Sequence, residues 1–277
     1  MGTRIAGGEA GRQDERHRAR QHRSGLPGLE AVSVSSDRAF PRHAHDHFGF
    51  GVVATGAHRS WSGLGAVEAV AGDIITVNPG EIHDGLPVRS AVRAWRMAYL
   101  DPSLLAALLP EERREGVELA RPALRDPALA RGVTGLFGLF AMDRPDPLAV
   151  EQDLVRVLVS LFARFGSRPA PRRGTPPPGR CDGWRRRPKR PVTPADLAGL
   201  SGVSRFQFLC GFARAVGTTP HAYLGQQRVR LARRLLAAGS GPAAAAAEAG
   251  CADQSHMTRA FVRQYGVTPA RYRAALA

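Results

Sequence analysis

The feature that most constrains what this chain can fold into is a repeat. The pattern F-x4-G-x-T-P-x2-Y runs from Phe212 to Tyr223 and again, 49 residues later, from Phe261 to Tyr272. The same shift places Ser204 on Asp253, Phe208 on Met257 and Arg214 on Arg263. Chance repetition of five fixed positions is improbable, so one structural unit is duplicated. Each copy reads as helix, tight turn, helix. In the first, Thr193 caps a helix opened by Pro194, Gly202 ends it in a left-handed conformation and Ser204 caps the next. In the second, Pro242 opens, Gly250 ends and Asp253 caps. Two helices joined by a short Gly-containing turn make a helix-turn-helix. Between the copies, Pro220 to Ala238 reads as one helix about 28 Å long. Leu224, Leu231 and Leu235 are expected on its inner face, with Arg228, Arg230, Arg233 and Arg234 adding charge. A spacer of that length holds two recognition helices near one DNA turn apart, about 34 Å.

On the second helix of the second copy, Met257, Ala260 and Phe261 share one face, and Gln254, Ser255, Thr258, Arg259 and Arg263 point away from it. Guanidinium groups mixed with hydrogen-bonding side chains suit base edges and phosphates. Arg205, Phe206, Gln207 and Arg214 are the candidate DNA contacts of the first copy. A single polar helix face is ordinarily just a solvated one; the charge distribution argues otherwise. The chain carries a net +15, and residues 167–277 alone hold nineteen basic and four acidic groups, whereas residues 31–166 hold fourteen and sixteen. A near-neutral front joined to a basic back is the asymmetry of a protein whose back part meets a polyanion.

Residues 1–27 lack periodicity and read as a disordered tail. From 28 to 101, short β-type runs such as Phe48 to Val53 and Trp95 to Leu100 alternate with turn signals, which suggests a small antiparallel barrel or sandwich. Within 102–166, Leu129, Val133, Leu136 and Phe140, then Val150, Leu154, Val157, Leu158, Leu161 and Phe165, recur at helical spacing. Those helices either close the barrel or pair two copies of the chain. Residues 167–191, rich in Pro and Arg, read as a linker, and 192–277 form the duplicated all-α part. The three cysteines, Cys181, Cys210 and Cys251, form no C-x-x-C pair, the first residues read as no signal sequence, and no apolar run is long enough to cross a bilayer. The expectation is a cytoplasmic protein without membrane contact.

Over residues 192–274 the sequence resembles the AraC family of transcriptional regulators, on Thr219-Pro220-His221-Ala222-Tyr223-Leu224, Arg228 to Leu235, Asp253-Gln254-Ser255-His256 and Gly266-Val267-Thr268-Pro269. The resemblance implies an α+β multidomain chain: an N-terminal cupin-like β-barrel with following helices that binds ligand and dimerises, and a C-terminal all-α double helix-turn-helix domain that binds DNA. There are departures. Pro176 to Pro191 is broken by prolines where the family has a helix. Cys210 and Gly211 replace a basic and a bulky apolar residue, and Pro242, Ala245 and Cys251 replace larger apolar ones. They predict a weakened first unit and a thin core in the second.

His43, His45 and His47 sit on alternate positions and, in an extended strand, point to one side. His43-Ala44-His45 looks like the start of the first cupin motif, and Gly72-Asp73 with Pro79-Gly80-Glu81-Ile82-His83 like the second. Cupin enzymes bind metal through two His, a Glu and a later His; here Gly49 and Phe50 stand where the Glu is expected. The reading therefore assigns no metal and no cofactor. It places His43, His45 and His83 in a small-molecule pocket with Trp61 and Trp95 as apolar walls, or else at a barrel mouth facing water. The function expected is a sequence-specific, non-enzymatic regulator whose partners are double-stranded promoter DNA, a small-molecule effector, a second copy of the chain and RNA polymerase. The alternatives are a metal-dependent cupin enzyme with an accessory DNA-binding module, and a degenerate relative binding DNA non-specifically.

Overall fold

The computed structural model describes residues 16–108, 118–167, 194–200 and 202–276. The expectations for residues 1–15, for the Pro-rich segment from 168 onward and for the Thr193 cap lie outside them. Two antiparallel sheets build the front. The larger has the order β1 (His17–His22), β2 (Leu29–Ser36), β9 (Arg93–Leu100), β4 (Phe48–Thr55), β7 (Ile74–Val77) and β11 (Ala123–Leu124). The smaller has the order β3 (Phe40–His43), β8 (His83–Pro87), β5 (Ala57–Ser62) and β6 (Gly65–Val70). A short pair, β10 (Glu118–Leu119) with β12 (Gly166–Ser167), ties the end of the third helix back to the domain.

Strand alternation divides the large sheet into two faces. Along β9, Ala98 and Leu100 point to one side with Phe50, Val52 and Ile74, while Trp95 and Met97 point to the other with Val32, Val34 and Val77. The first face is covered by α1 (Pro102–Leu108), α2 (Pro127–Phe140) and α3 (Pro147–Phe165). Asp126 and Asp146 cap α2 and α3, each followed by Pro at the opening position. The apolar stripes of the two helices lie where their spacing predicts: Leu129, Val133, Leu136 and Phe140, and Val150, Leu154, Val157, Leu158 and Leu161, are all buried in the main core. Each such side chain contributes about 1.5–3 kcal/mol on burial. The pair thus closes the sheet, while α3 leaves Leu148 and Val159 exposed.

The back is helical: α4 (Pro194–Leu200), α5 (Arg205–Val216), α6 (Pro220–Ala237), α7 (Pro242–Glu248), α8 (Gln254–Tyr265) and α9 (Pro269–Leu276). The repeat explains itself here. Gly217 and Gly266 end α5 and α8 at φ 79° and 75°, a region open to Gly, and Thr219 and Thr268 cap the helices that follow. Ser204 caps α5 in a capping box with Gln207, and Asp253 caps α8 through the amide of His256.

Two expectations are corrected. Residues 17–22, expected in the disordered tail, form β1 in six-residue register with β2. Its buried ends are histidines held by hydrogen bonds, His22 to Ser33 and the Phe140 carbonyl, so the segment lacks the apolar alternation that marks a strand in sequence. On α6, Leu224, Leu231 and Leu235 are only partly buried, and Tyr223, Val229, Ala232, Arg233 and Leu236 are buried. The helix is packed on two sides, by the other helices and by the barrel, so one apolar stripe does not describe it.

Candidate functional site

Between the two sheets lies a cavity of about 90 Å³. Its body is apolar, from Val32, Val34, Phe40, Val77, Trp95 and Met97; one end is polar, with His43, His45, His83 and Tyr99. The remaining wall comes from the helical part: Arg233 of α6, Gln264 and Tyr265 of α8, and Val267 and Tyr272 beyond it. Trp61, expected as a wall, is not part of the lining. On β5 the residues His58 and Ser60 face the cavity, so Trp61, one position on, faces away. It packs under the Arg42 guanidinium, 3.7 Å from its ring centroid, and against Gly217.

The structure brings His43, His45 and His83 together. His43 and His83 are register partners on β3 and β8, and the three ring centroids lie 4.5, 4.8 and 5.2 Å apart. His43 donates from Nδ1 to the Pro41 carbonyl at 2.7 Å, and His83 from Nδ1 to the Glu81 carbonyl at 3.1 Å. A carbonyl can only accept, so the proton sits on Nδ1 and Nε2 carries the lone pair. Burial, reinforced by the mutual repulsion of the imidazoles, lowers His43 to about 3 and holds His45 well below its usual range; burial lowers His83 to about 4. All three are neutral at physiological pH. His47 does not join them: β3 ends at His43, the alternation stops, and His47 accepts from Arg233 at 3.1 Å.

A seam of charged and polar contacts fixes the helices to the barrel. Arg233 pairs with Glu30 at 2.7 Å, and Tyr272 links the two, donating to Glu30 at 2.7 Å and accepting from Arg233 at 3.2 Å. Burial opposes the charge on Arg233, but Glu30 and the neighbouring tyrosines hold it protonated above the ordinary range. Asp46 pairs with both Arg230 and Arg234. Arginines 230, 233 and 234, read from sequence as added charge on the helix, are therefore turned to barrel acids. The recognition helices are gripped in parallel fashion: Arg42 donates to the Gly217 carbonyl at 2.8 Å, and His17 to the Gly266 carbonyl at 2.9 Å. Sequence reasoning missed His17, Glu30 and Arg42; for His17 and Arg42 the one signal was that the repeat contains the glycines they hold, and for Glu30 there was none.

The candidate DNA contacts lie elsewhere. Arg205, Phe206, Gln207 and Arg214 on α5 are exposed, Phe206 at 75%. On α8, Gln254, Ser255, Arg259 and Arg263 are exposed and Thr258 is half-buried. Gln207 commits its Oε1 to the amide of Ser204 in the capping box. Among the described residues Arg205, Arg214, Arg259 and Arg263 enter no ion pair, in contrast to Arg230, Arg233 and Arg234 of α6.

A barrel with an internal cavity, followed by a duplicated helix-turn-helix, is matched by two domain families. Residues 26–158 match the AraC-like ligand binding domain, and residues 197–275 a helix-turn-helix domain. The chain belongs to the AraC family of transcriptional regulators. Relatives of this AraC-family chain include the uncharacterized HTH-type transcriptional regulator YbfI of Bacillus subtilis, 26% identical over 79% of this chain and 81% of the relative. The probable transcriptional regulator LumQ of Photobacterium leiognathi is 33% identical over 30% of this chain, and that match spans only 34% of LumQ. In three dimensions, the unsaturated fatty acid-bound ToxT of Vibrio cholerae shares the fold, with a TM-score of 0.52 at 12% identity, covering 96% of this chain and 97% of ToxT.

Proposed function

We propose that this AraC-family chain is a cytoplasmic, non-enzymatic regulator that reads promoter DNA through α5 and α8 and is controlled by a small molecule in the barrel cavity. The observation that carries the reading is that the helical DNA reader supplies one wall of that cavity, through Arg233, Tyr265 and Tyr272. An occupant touches both domains and so shifts the balance between their arrangements by its different affinity for each. The cavity is smaller than the roughly 150 Å³ that accommodates benzene in an engineered protein. A larger effector has to move a wall, and the wall held by side-chain contacts rather than by sheet hydrogen bonds is the reader. Only molecules smaller than benzene fit as the cavity stands; an aromatic molecule, or an unsaturated fatty acid as bound by ToxT, fits only if the reader shifts. Exposed Leu148 and Val159 on α3 support pairing of two copies, and RNA polymerase is the further partner of a promoter-bound regulator.

The test has two arms. In gel shifts, Arg259→Ala is expected to cost about 1–3 kcal/mol on the operator and less on random DNA; equal weakening on both would overturn sequence-specific reading. In the second arm, a molecule that raises Tm by filling the cavity is expected to change operator affinity. If such a molecule leaves that affinity untouched, the control mechanism fails.

A further inference from the structure

We propose that His43, His45 and His83 form a binding site for one divalent first-row transition-metal ion, with zinc as its type. One ligand nitrogen from each residue lies within 4.8 Å of the other two, at the polar end of the cavity. Imidazole nitrogen suits zinc, iron, nickel and copper, and excludes calcium and magnesium, which take oxygen.

Two features go beyond mere clustering. First, His43 and His83 both donate Nδ1–H to backbone carbonyls, of Pro41 and Glu81. That is how a protein fixes the tautomer of a metal-binding histidine and aims its Nε2 lone pair. Second, the fourth ligand of a cupin enzyme is replaced by glycine in tight surroundings. A side chain at Gly49, on β4, would meet Met97 Cε at 3.1 Å and Tyr99 Cε1 at 3.2 Å, and the Tyr99 ring lies tilted against His45 with centroids 4.9 Å apart. The residues present therefore do not fit a two-His, one-Glu, one-His set; they fit three imidazoles with the remaining position open to the cavity. Nitrogens around tetrahedral zinc lie about 3.3 Å apart, so the cluster must contract on binding. His45 is the ring free to close it: among the described residues it makes ring contacts and no hydrogen bond. One of those contacts is Tyr265 of the recognition helix, 5.6 Å away. An ion here sits against the reader and offers an open coordination position to an oxygen or nitrogen donor in the cavity.

The experiment uses the full chain without an affinity tag, stripped with chelator and titrated with Co²⁺ and then Zn²⁺, with no DNA present. The expected result is one Co²⁺ per chain, with the visible bands of a low-coordinate nitrogen site, displaced stoichiometrically by Zn²⁺. His43→Ala and His83→Ala are each expected to weaken binding by more than the roughly 10- to 100-fold that loss of a ligand's hydrogen-bond partner costs. His256→Ala, at an exposed position, leaves it unchanged. Should the cavity variants fail to fold, X-ray absorption of the zinc-loaded wild type reads the ligands directly and is expected to count three imidazoles. Substoichiometric binding, equal binding by all variants, or a shell without three imidazoles overturns the proposal.

Discussion

The two helix-turn-helix units carry the same motif and, among the described residues, different cores. Unit two buries ten residues, from Val229, Ala232 and Leu236 on α6 through Ala245, Ala246 and Ala249 to Met257, Phe261, Val267 and Tyr272. In unit one, the described cluster is Phe212, Val216 and Tyr223, with Leu197, Phe208 and Leu224 partly buried and Ile82 lent by the barrel. Among the described residues, the duplication copied caps and turns more closely than packing. The shared helix α6 gives most of its buried apolar face to unit two. Of the residues expected to thin that core, Ala245 is fully buried, with Ala246 beside it on α7 and Ala249 at the cap of that helix, so small side chains there go with close approach. Both units lean on the barrel, unit one through Ile82, Trp61 and Arg42, and unit two through His17, Ala44 and Glu30. What sets the second unit apart is the larger cluster it buries among the described residues.

The sharpest way to break this comparison is to truncate the equivalent aromatic in each unit. Phe261 is fully buried, and Phe261→Ala is expected to cost about 3–5 kcal/mol and to unfold unit two. Phe212→Ala, in the smaller and more open core, is expected to fall below that range. Denaturant melts followed by circular dichroism measure both; equal losses would show the cores to be equivalent. The next largest effect concerns docking. Glu30 and Arg233 are a buried pair, and Glu30→Ala is expected to cost about 3–5 kcal/mol, because it leaves a buried guanidinium without its counter-charge. Arg42→Ala, which frees the exposed grip on Gly217, the contact with Trp61 and a pairing with Asp84, is expected to cost less in melts. Limited proteolysis between the domains should follow the same order.

What was legible in the sequence follows from the kind of force involved. Local chemistry read well: Ser204, Asp253, Thr219, Gly202 and Gly250 do what cap and turn residues do in any chain. Helix spacing in 127–165 also read well, because that pair meets a single apolar sheet face. Legibility failed where burial is polar or shared between domains. β1 is buried through His17 and His22, and α6 is buried partly through Arg233, so neither shows a simple hydrophobic period. The cavity was half legible: His43, His45 and His83 converge, but strand register, which turns Trp61 out and ends β3 before His47, is a property of pairing and not of any one strand.

On DNA, the comparison predicts unequal readers. Arg259→Ala in the better-packed unit is expected to lose about 1–3 kcal/mol of operator affinity. Arg205→Ala is expected to lose less, because a loosely packed helix spends part of its contact energy on being ordered. Quantitative gel shifts at fixed salt decide it, since phosphate contacts vary with ionic strength; a larger loss at Arg205 would reverse the ranking.

The smallest effect is the most diagnostic. Gly211 lies within α5, exposed, with open space where a Cβ would stand. Alanine there adds no clash and removes the unfolded-state freedom of glycine, so Gly211→Ala is expected to stabilise the chain by about 0.5–1 kcal/mol. If the weakness of unit one limits DNA binding, the same substitution tightens operator affinity without adding a contact. If stability rises and affinity does not, unit one is already ordered when it meets DNA, and the difference between the units lies in their outward side chains.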